Sequence, residues 1–262
     1  MLFLITERCS MNCPHCMIGA QAEGESASRA TVIETLQFAD DAGIKTINVS
    51  GGEPTEHPDF WDIFPLILRR SKKRFIVLAT NGSWLKRPGF VQELSLLQKQ
   101  YPFAIQVTAI KGLYRDVKET QAHFMLNRRR FGMAVEIITQ ITCIDQLGRA
   151  RGKDWSHLGK SVVGGTLHKR KAPNCFNLLS AARGSATLQQ LVGLLEIGLA
   201  NFCKPMVDWK GDIHIGECPE CTTIGHVTDP FEELLPELQA AEPCGVCGVA
   251  TPDTLIAHLR RQ

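Results

Sequence analysis

Short apolar stretches alternate with longer amphipathic stretches over the first half of the chain. The apolar stretches have the length of buried strands, and the amphipathic ones carry apolar residues three and four positions apart. Strands are predicted at Leu2–Thr6, Ile44–Val49, Phe75–Ala79, Phe103–Thr108 and Met133–Ile141, and helices at Ser28–Ala42, His57–Arg70, Pro88–Gln98 and Asp116–Arg130. This alternation is typical of βαβ units, so we expect an α/β fold with a parallel sheet.

The alternation fades after Gly148. The next stretch is rich in glycine and basic residues and predicts irregular structure with one strand, Ser161–Val163. Two further helices are predicted, at Leu188–Ala200 and Phe231–Ala240. The chain beyond Ala200 is otherwise rich in Cys, Gly and Pro, which predicts a small metal-binding appendage.

Composition narrows the classes of protein that need to be considered. Of the 262 residues, 44% are hydrophobic and 21% are charged, which is enough to bury a sizeable core. The net charge of +2 is too small to indicate nucleic acid or an anionic membrane as a partner. No apolar run approaches the ~20 residues of a membrane helix, so we predict a cytoplasmic protein. In that reducing compartment, 10 cysteines indicate metal or redox use rather than disulfides.

Three cysteines, Cys9, Cys13 and Cys16, follow the first predicted strand in the string CSMNCPHC. Three thiolates on one loop can hold three irons of a [4Fe-4S] cluster and leave the fourth iron open. A zinc site is the alternative, although structural zinc sites usually have four protein ligands. The spacing therefore favours a cluster with a vacant coordination position.

The second predicted strand leads directly into Gly51-Gly52-Glu53-Pro54. Two glycines allow the backbone to approach a ligand closely. The alternative is a tight strand-to-helix turn in which Glu53 is solvated. Because ligands gather at the carboxyl ends of parallel strands, we expect this turn to lie beside the cysteine loop, residues 9–16.

Together, CSMNCPHC and GGEP resemble the radical S-adenosylmethionine (radical SAM) superfamily, and the likeness covers residues 1–145. It implies a partial (β/α)6 TIM-like barrel in which S-adenosylmethionine chelates the open iron of the cluster. By the family pattern, the turn of Gly51, Gly52, Glu53 and Pro54 binds the methionine amino group. The remaining cofactor-binding residues that the resemblance implies are His15, where the family usually has Tyr or Phe near the adenine, Asn81 and Thr108.

The fourth and fifth predicted strands carry further candidates for the cofactor side of the barrel. The string VTAIKG follows Thr108 where the family more often has VSLDG, so no acidic residue stands in that turn. Glu136, on the fifth strand, points either into the barrel or to solvent.

A second group of cysteines lies near the other end of the chain. The group resembles a SPASM or twitch extension that holds an auxiliary [4Fe-4S] cluster, and LGRAR (147–151) ahead of it fits the same likeness. The resemblance implies that the auxiliary ligands come from Cys203, Cys218, Cys221, Cys244 and Cys247. A four-thiolate zinc site is the alternative, because Cys218–Cys221 and Cys244–Cys247 form two CxxC pairs. Cys143 is interpreted as a buried thiol. Cys175 is interpreted as an unassigned loop cysteine, with a ligand or a substrate-side thiol as the alternatives.

The resemblance implies a core at residues 1–200 and an auxiliary-cluster extension at residues 201–262. The implied enzyme cleaves S-adenosylmethionine reductively to a 5′-deoxyadenosyl radical and abstracts hydrogen from a peptide or protein. Alternatives within the superfamily are a small-molecule dehydrogenase or mutase and a glycyl-radical-activating enzyme. A non-catalytic iron–sulfur or zinc scaffold is the alternative from a different class. The expected electron donor is a flavodoxin or ferredoxin, and no nucleic-acid partner is expected.

Overall fold

The computed structural model describes residues 1–110, 113–114, 116–131, 135–138, 148–150, 152–154, 205–215 and 222–240, with the side chains of 239 and 240 left aside. Its strands are β1 Leu2–Leu4, β2 Thr46–Ser50, β3 Phe75–Thr80, β4 Ala104–Thr108, β5 Val135–Ile138, β6 Pro205–Val207, β7 Asp212–Ile215 and β8 Thr223–His226. Its α-helices are α1 Arg29–Asp41, α2 Phe60–Arg70, α3 Pro88–Gln100, α4 Val117–Asn127 and α5 Phe231–Ala240.

The strands form one sheet in the order β5-β4-β3-β2-β1-β6-β7-β8. Strands β1 to β5 are parallel, and each pairs with the next along the chain. Their carboxyl ends therefore lie along one edge of the sheet, which is where an α/β fold gathers its ligands. The predicted α/β class with a parallel sheet is confirmed.

The two faces of the parallel strands differ in character. On one face Ile47, Ile76 and Ile105 are at most 1% exposed and belong to the main apolar core. Helix α2 packs into this core, where the ring of Phe64 meets Phe103 edge-on at 5.0 Å. Because side chains alternate across a strand, the other face is left open for a site.

Local sequence explains where the helices begin and end. Helix α1 starts after Ser28, whose hydroxyl accepts from the N–H of Thr31 at 3.0 Å, and Gly43, with φ +63°, follows its end. Helix α2 begins at Phe60, later than the predicted His57. The reason is that the His57 ring is held by other bonds: its Nε2 donates to the distant Ala27 carbonyl at 3.0 Å, and its Nδ1 accepts from the N–H of Asp59 at 3.0 Å.

The last described strands continue the same sheet. Strand β6 pairs in parallel with β1, and β7 and β8 follow it in antiparallel order. The predicted helix at Phe231–Ala240 is confirmed as α5, and its Phe231 ring lies 6.2 Å from that of Phe38 in α1. The predicted elements Ser161–Val163 and Leu188–Ala200 lie outside the described residues, and the division at residue 200 stays a prediction.

Candidate active site

The cysteine loop joins β1 to the segment before α1 and forms part of a cavity of about 270 Å³. Cys9 and Cys13 are buried and Cys16 is half-buried, and none of the three forms a disulfide within the described part of the chain. The loop is closed by backbone hydrogen bonds from Cys9 N–H to the Gln21 carbonyl at 2.7 Å and from Cys16 N–H to the Cys13 carbonyl at 3.3 Å. Its three sulfurs are therefore presented from one short, folded segment.

The cavity lies at the carboxyl ends of the parallel strands. The predicted site residues found on its wall are Cys9, Cys13, His15, Cys16, Gly51, Gly52, Asn81 and Thr108. The rest of the wall is mainly apolar and consists of Leu2, Leu4, Met11, Met17, Ile18, Ser50, Ala79, Thr80, Tyr114 and Arg149. Glu53 and Pro54, predicted as cofactor-binding residues, lie behind this wall.

Gly51 and Gly52 pack against the backbone that leads into the cysteine loop. A Cβ atom on Gly51, which has φ +142°, would overlap the carbonyl oxygen of Thr6, and one on Gly52 would overlap that of Arg8. The N–H of Gly52 donates to the Thr6 carbonyl at 2.8 Å. Both glycines also face the cavity, so this turn lies against the cysteine loop and the ligand space together.

The carboxylate of Glu53 is fully buried and accepts hydrogen bonds from neighbouring protein groups. Its Oε1 accepts from the hydroxyls of Thr55 and Thr80, each at 2.6 Å, and its Oε2 accepts from the N–H of Asn81 at 2.6 Å. Burial raises the pKa of Glu53, and these hydrogen bonds oppose the rise. The interpretation of Glu53 as a solvated turn residue is wrong, because the side chain joins the turn after β2 to the end of β3.

Asn81 connects this hydrogen-bond network to the first cysteine. Its Nδ2 donates to the sulfur of Cys9 at 3.7 Å, and its Oδ1 accepts from the N–H of Ser83 at 2.8 Å. The second bond fixes which end of the amide faces the sulfur.

Sequence comparison identifies the domain that these residues form. The family described as the Radical SAM superfamily matches residues 3–119. Residues 3–119 therefore match a radical SAM domain. Members of the superfamily are enzymes that use a [4Fe-4S] cluster and S-adenosylmethionine.

The proteins to which this chain is similar have different functions. The antilisterial bacteriocin subtilosin biosynthesis protein AlbA of Bacillus subtilis (strain 168) is 27% identical over 135 residues, which are 50% of this chain and 27% of AlbA. A probable GTP 3′,8-cyclase of Pyrococcus abyssi (strain GE5 / Orsay) is 33% identical over 84 residues, which are 31% of this chain and 26% of the cyclase. The chain thus spans about a quarter of the length of these relatives.

A solved structure supports the fold independently. BtrN, solved in complex with AdoMet and 2-DOIA, aligns with a TM-score of 0.53 at 10% identity. The alignment covers 92% of this chain and 81% of that one. The likeness shows that the two chains share a fold.

Within the radical SAM domain, His15 is half-buried and packs against Tyr114, with ring centroids 5.0 Å apart. Burial, and after it the charge of Arg149, lowers the pKa of His15 to about 4, so the imidazole is neutral near pH 7. Burial, reinforced by negative charge from the cysteine loop and Glu53, raises the pKa of Tyr114. Sequence reasoning missed Tyr114, although its place after the fourth strand was a signal.

Arg149 is the second wall residue that sequence reasoning missed as a site residue. Its Nε donates to the carbonyl of Cys13 at 2.9 Å, and its Nη1 donates to that of Ala20 at 2.6 Å. The only signal was its place in LGRAR, which lies far from the cysteine loop in sequence.

The open face of the sheet beyond the cavity carries polar side chains. Gln106 lies two residues before Thr108 and therefore faces the same side, and Glu136 is its register partner on β5. The Nε2 of Gln106 donates to Glu136 at 3.3 Å. Glu136 is thus solvent-exposed and on the barrel side at once, so the two interpretations of its position are compatible.

The remaining predicted ligands lie outside the described residues. They are Cys203, Cys218, Cys221, Cys244 and Cys247, together with the unassigned Cys143 and Cys175. The auxiliary cluster and the zinc alternative therefore stay predictions.

The described residues fit the superfamily's cluster in two respects. Burial, with added repulsion from Glu53 and Glu56, raises the pKa of Cys9 to about 11, so a metal's positive charge is what would hold this sulfur as a thiolate. No three Cys, His, Asp or Glu side chains of the described segments converge tightly enough to hold a single metal ion. That separation is compatible with a cluster in which each thiolate binds a different iron.

None of the helices in the described part of the chain combines the length and the apolar character needed to cross a bilayer.

Proposed function

We propose that this chain is a radical SAM enzyme that modifies a peptide or protein. When bound, the cluster and S-adenosylmethionine supply the reductive cleavage that yields a 5′-deoxyadenosyl radical for hydrogen abstraction. The observation that carries the proposal is that the thiols of Cys9, Cys13 and Cys16 and the Gly51-Gly52 turn lie on the wall of one cavity.

The residues around the thiols have separate tasks in this proposal. Cys9, Cys13 and Cys16 would hold the cluster, and Asn81 orients the first of them through its N–H···S hydrogen bond. Glu53 acts at one remove, because it holds the backbone of Asn81 in place. These contacts preorganise the ligands before any cofactor binds.

The rest of the wall would position the organic cofactor and keep water out. Neutral His15 and the ring of Tyr114 offer planar surfaces on which an adenine can pack. Apolar side chains such as Leu4 and Ala79 supply a water-poor lining, which protects a reactive radical from side reactions.

The open face of the sheet favours a substrate that is not strongly anionic. On this face β4 and β5 present Gln106 and the carboxylate of Glu136, and β2 presents Asn48 next to Leu2. A polyphosphate needs cationic side chains, and the described positions of β2 to β5 on this face supply none. Amide and carboxylate groups instead suit the hydrogen-bonding pattern of a polypeptide.

The similarity to AlbA, a bacteriocin biosynthesis protein, covers half of this chain and supports a peptide substrate. The second candidate is a nucleotide substrate, which is favoured by 33% identity to a probable GTP 3′,8-cyclase over 84 residues. The two candidates differ in the charge that the barrel must accept.

The test uses protein reconstituted anaerobically with iron and sulfide, then supplied with dithionite and S-adenosylmethionine. Synthetic peptides encoded by reading frames adjacent to the gene are compared with GTP. We expect at least one peptide to raise 5′-deoxyadenosine formation above the substrate-free rate and to change in mass. Stimulation by GTP, with every peptide unchanged, would overturn the peptide assignment.

A further inference from the structure

Arg149 crosses the end of the cysteine loop and holds the backbone of residues 13–20 at three points. Its own N–H donates to the carbonyl of Cys16 at 3.0 Å, and its Nε donates to the carbonyl of Cys13 at 2.9 Å. Its Nη1 donates to the carbonyl of Ala20 at 2.6 Å. A residue more than a hundred positions away thus fixes the segment that carries two of the three thiols.

The approach of this segment to the loop depends on Gly148. Gly148 has φ +51°, and a Cβ atom there would overlap the carbonyl oxygens of Met17 and Cys16. Lys153 adds a contact farther along, where its Nζ donates to the carbonyl of Pro14 at 3.2 Å. This close packing shows that the backbone at Gly148 fits directly against the backbone of Cys16 and Met17.

The guanidinium of Arg149 has no counter-ion among the described residues. Its Nη2 is buried without a hydrogen-bond partner there, and no carboxylate of these residues lies within ion-pair distance. The side chain also forms part of the cavity wall beside Cys13 and Cys16. Arg149 as a whole is half-buried, but the buried end of its guanidinium is costly unless negative charge lies near it, so the geometry favours an anion in the cavity.

We propose that Arg149 is a positioning residue for the cysteine loop and the counter-charge of the anionic cluster that the loop would hold. The inference rests on the proposed function. Three thiolates outweigh the positive charge of the iron–sulfur core, and taking up an electron makes the assembly more negative. A fixed guanidinium stabilises that reduced state and so raises the midpoint potential.

The test compares Arg149→Gln, Arg149→Lys and the control Arg129→Gln, which removes a charge from an exposed arginine. Each full-length protein is reconstituted, checked for folding by circular dichroism, and titrated with dithionite under electron paramagnetic resonance. In this titration one electron passes from dithionite to each cluster, and no bond to the protein forms or breaks.

We expect Arg149→Gln to lower the ratio of reduced to oxidised cluster roughly tenfold at a fixed potential, a shift of about 59 mV. Arg129→Gln should match the wild type. Arg149→Lys keeps the charge but not the fork of donors, so it should keep the midpoint potential and lose iron to a chelator faster.

A folded Arg149→Gln protein with wild-type iron content and midpoint potential would overturn the inference. If that variant does not fold, Arg149→Lys decides, and a wild-type rate of iron loss from it counts against the positioning role. Failure of the proposed function is recognised separately, because the wild type would then take up no cluster, and the inference would fall with it.

Discussion

The side-chain amide of Asn81 donates to the sulfur of Cys9 across 3.7 Å. The same residue donates its backbone N–H to the buried carboxylate of Glu53 at 2.6 Å. Asn81 therefore links the turn after β2, the end of β3 and the first cysteine, three segments that are separate in sequence.

Replacing Asn81 should change the redox behaviour of the cluster more than the fold. Hydrogen bonds to cluster sulfurs raise the reduction potential, so Asn81→Ala should lower the midpoint potential. Asn127→Ala is the matched control, because that amide donates to the His123 carbonyl in its own helix, away from the cysteine loop. Equal midpoint potentials for wild type and Asn81→Ala, at equal iron content, would contradict the assignment.

Glu53 should be required for stability as a carboxylate. In Glu53→Gln one oxygen becomes an NH₂ group, which would face hydrogen-bond donors from Thr55, Thr80 or Asn81. We expect a loss of about 2–3 kcal/mol in the free energy of unfolding, measured by urea denaturation. The exposed Glu93→Gln should stay within about 0.5 kcal/mol of the wild type, and a similarly small change for Glu53→Gln would remove the structural role.

The Gly52 backbone should tolerate no side chain. Gly52→Ala forces a Cβ into the Arg8 carbonyl, so we expect destabilisation of about 1–3 kcal/mol and a displaced cysteine loop. Gly89→Ala is the control, since nothing lies within 4 Å of its added Cβ at the start of α3. That change should be neutral or stabilising by up to about 1 kcal/mol. Thermal unfolding of both variants decides the matter, and equal stability of the two would disprove the clash.

His57 should make stability depend on pH. Its Nε2 donates to the Ala27 carbonyl at 3.0 Å and its Nδ1 accepts from Asp59, so the folded ring is neutral. Burial, the largest cause, lowers the pKa of His57 below 6.5 in the folded protein. The unfolded chain then takes up a proton first as the pH falls below about 6.5, and the free energy of unfolding drops.

The His57 contribution can be isolated with His57→Gln. Its free energy of unfolding should fall less between pH 7 and pH 5 than that of the wild type. Identical slopes for wild type and His57→Gln would show that the ring does not carry this dependence.

The sequence predicted the parallel strands and their helices because apolar periodicity is a local signal. It also predicted that the cysteine loop and the Gly51-Gly52 turn lie close together, since both follow strands of one parallel sheet. It misjudged the start of α2, because His57 bonds to Ala27, which lies 30 positions away. Such a contact leaves no trace in local spacing.

The contacts that hold the cysteine loop in place could not be predicted from the sequence. Tyr114 and Arg149 reach the cysteine loop only through the fold, because both lie far from it in sequence. The buried bonding of Glu53 likewise depends on Thr80 and Asn81, whose distance from it is set by the pairing of β2 with β3.

The most direct test of the central claim is the cleavage of S-adenosylmethionine by reconstituted wild-type protein with dithionite, compared with Cys13→Ala. We expect the wild type to form 5′-deoxyadenosine even without substrate, and Cys13→Ala to form none. Cys247→Ala should keep the spectrum of the first cluster, because Cys247 lies outside the cysteine loop that would hold that cluster. A folded, iron-loaded wild type that forms no 5′-deoxyadenosine, with or without peptide, would contradict the account.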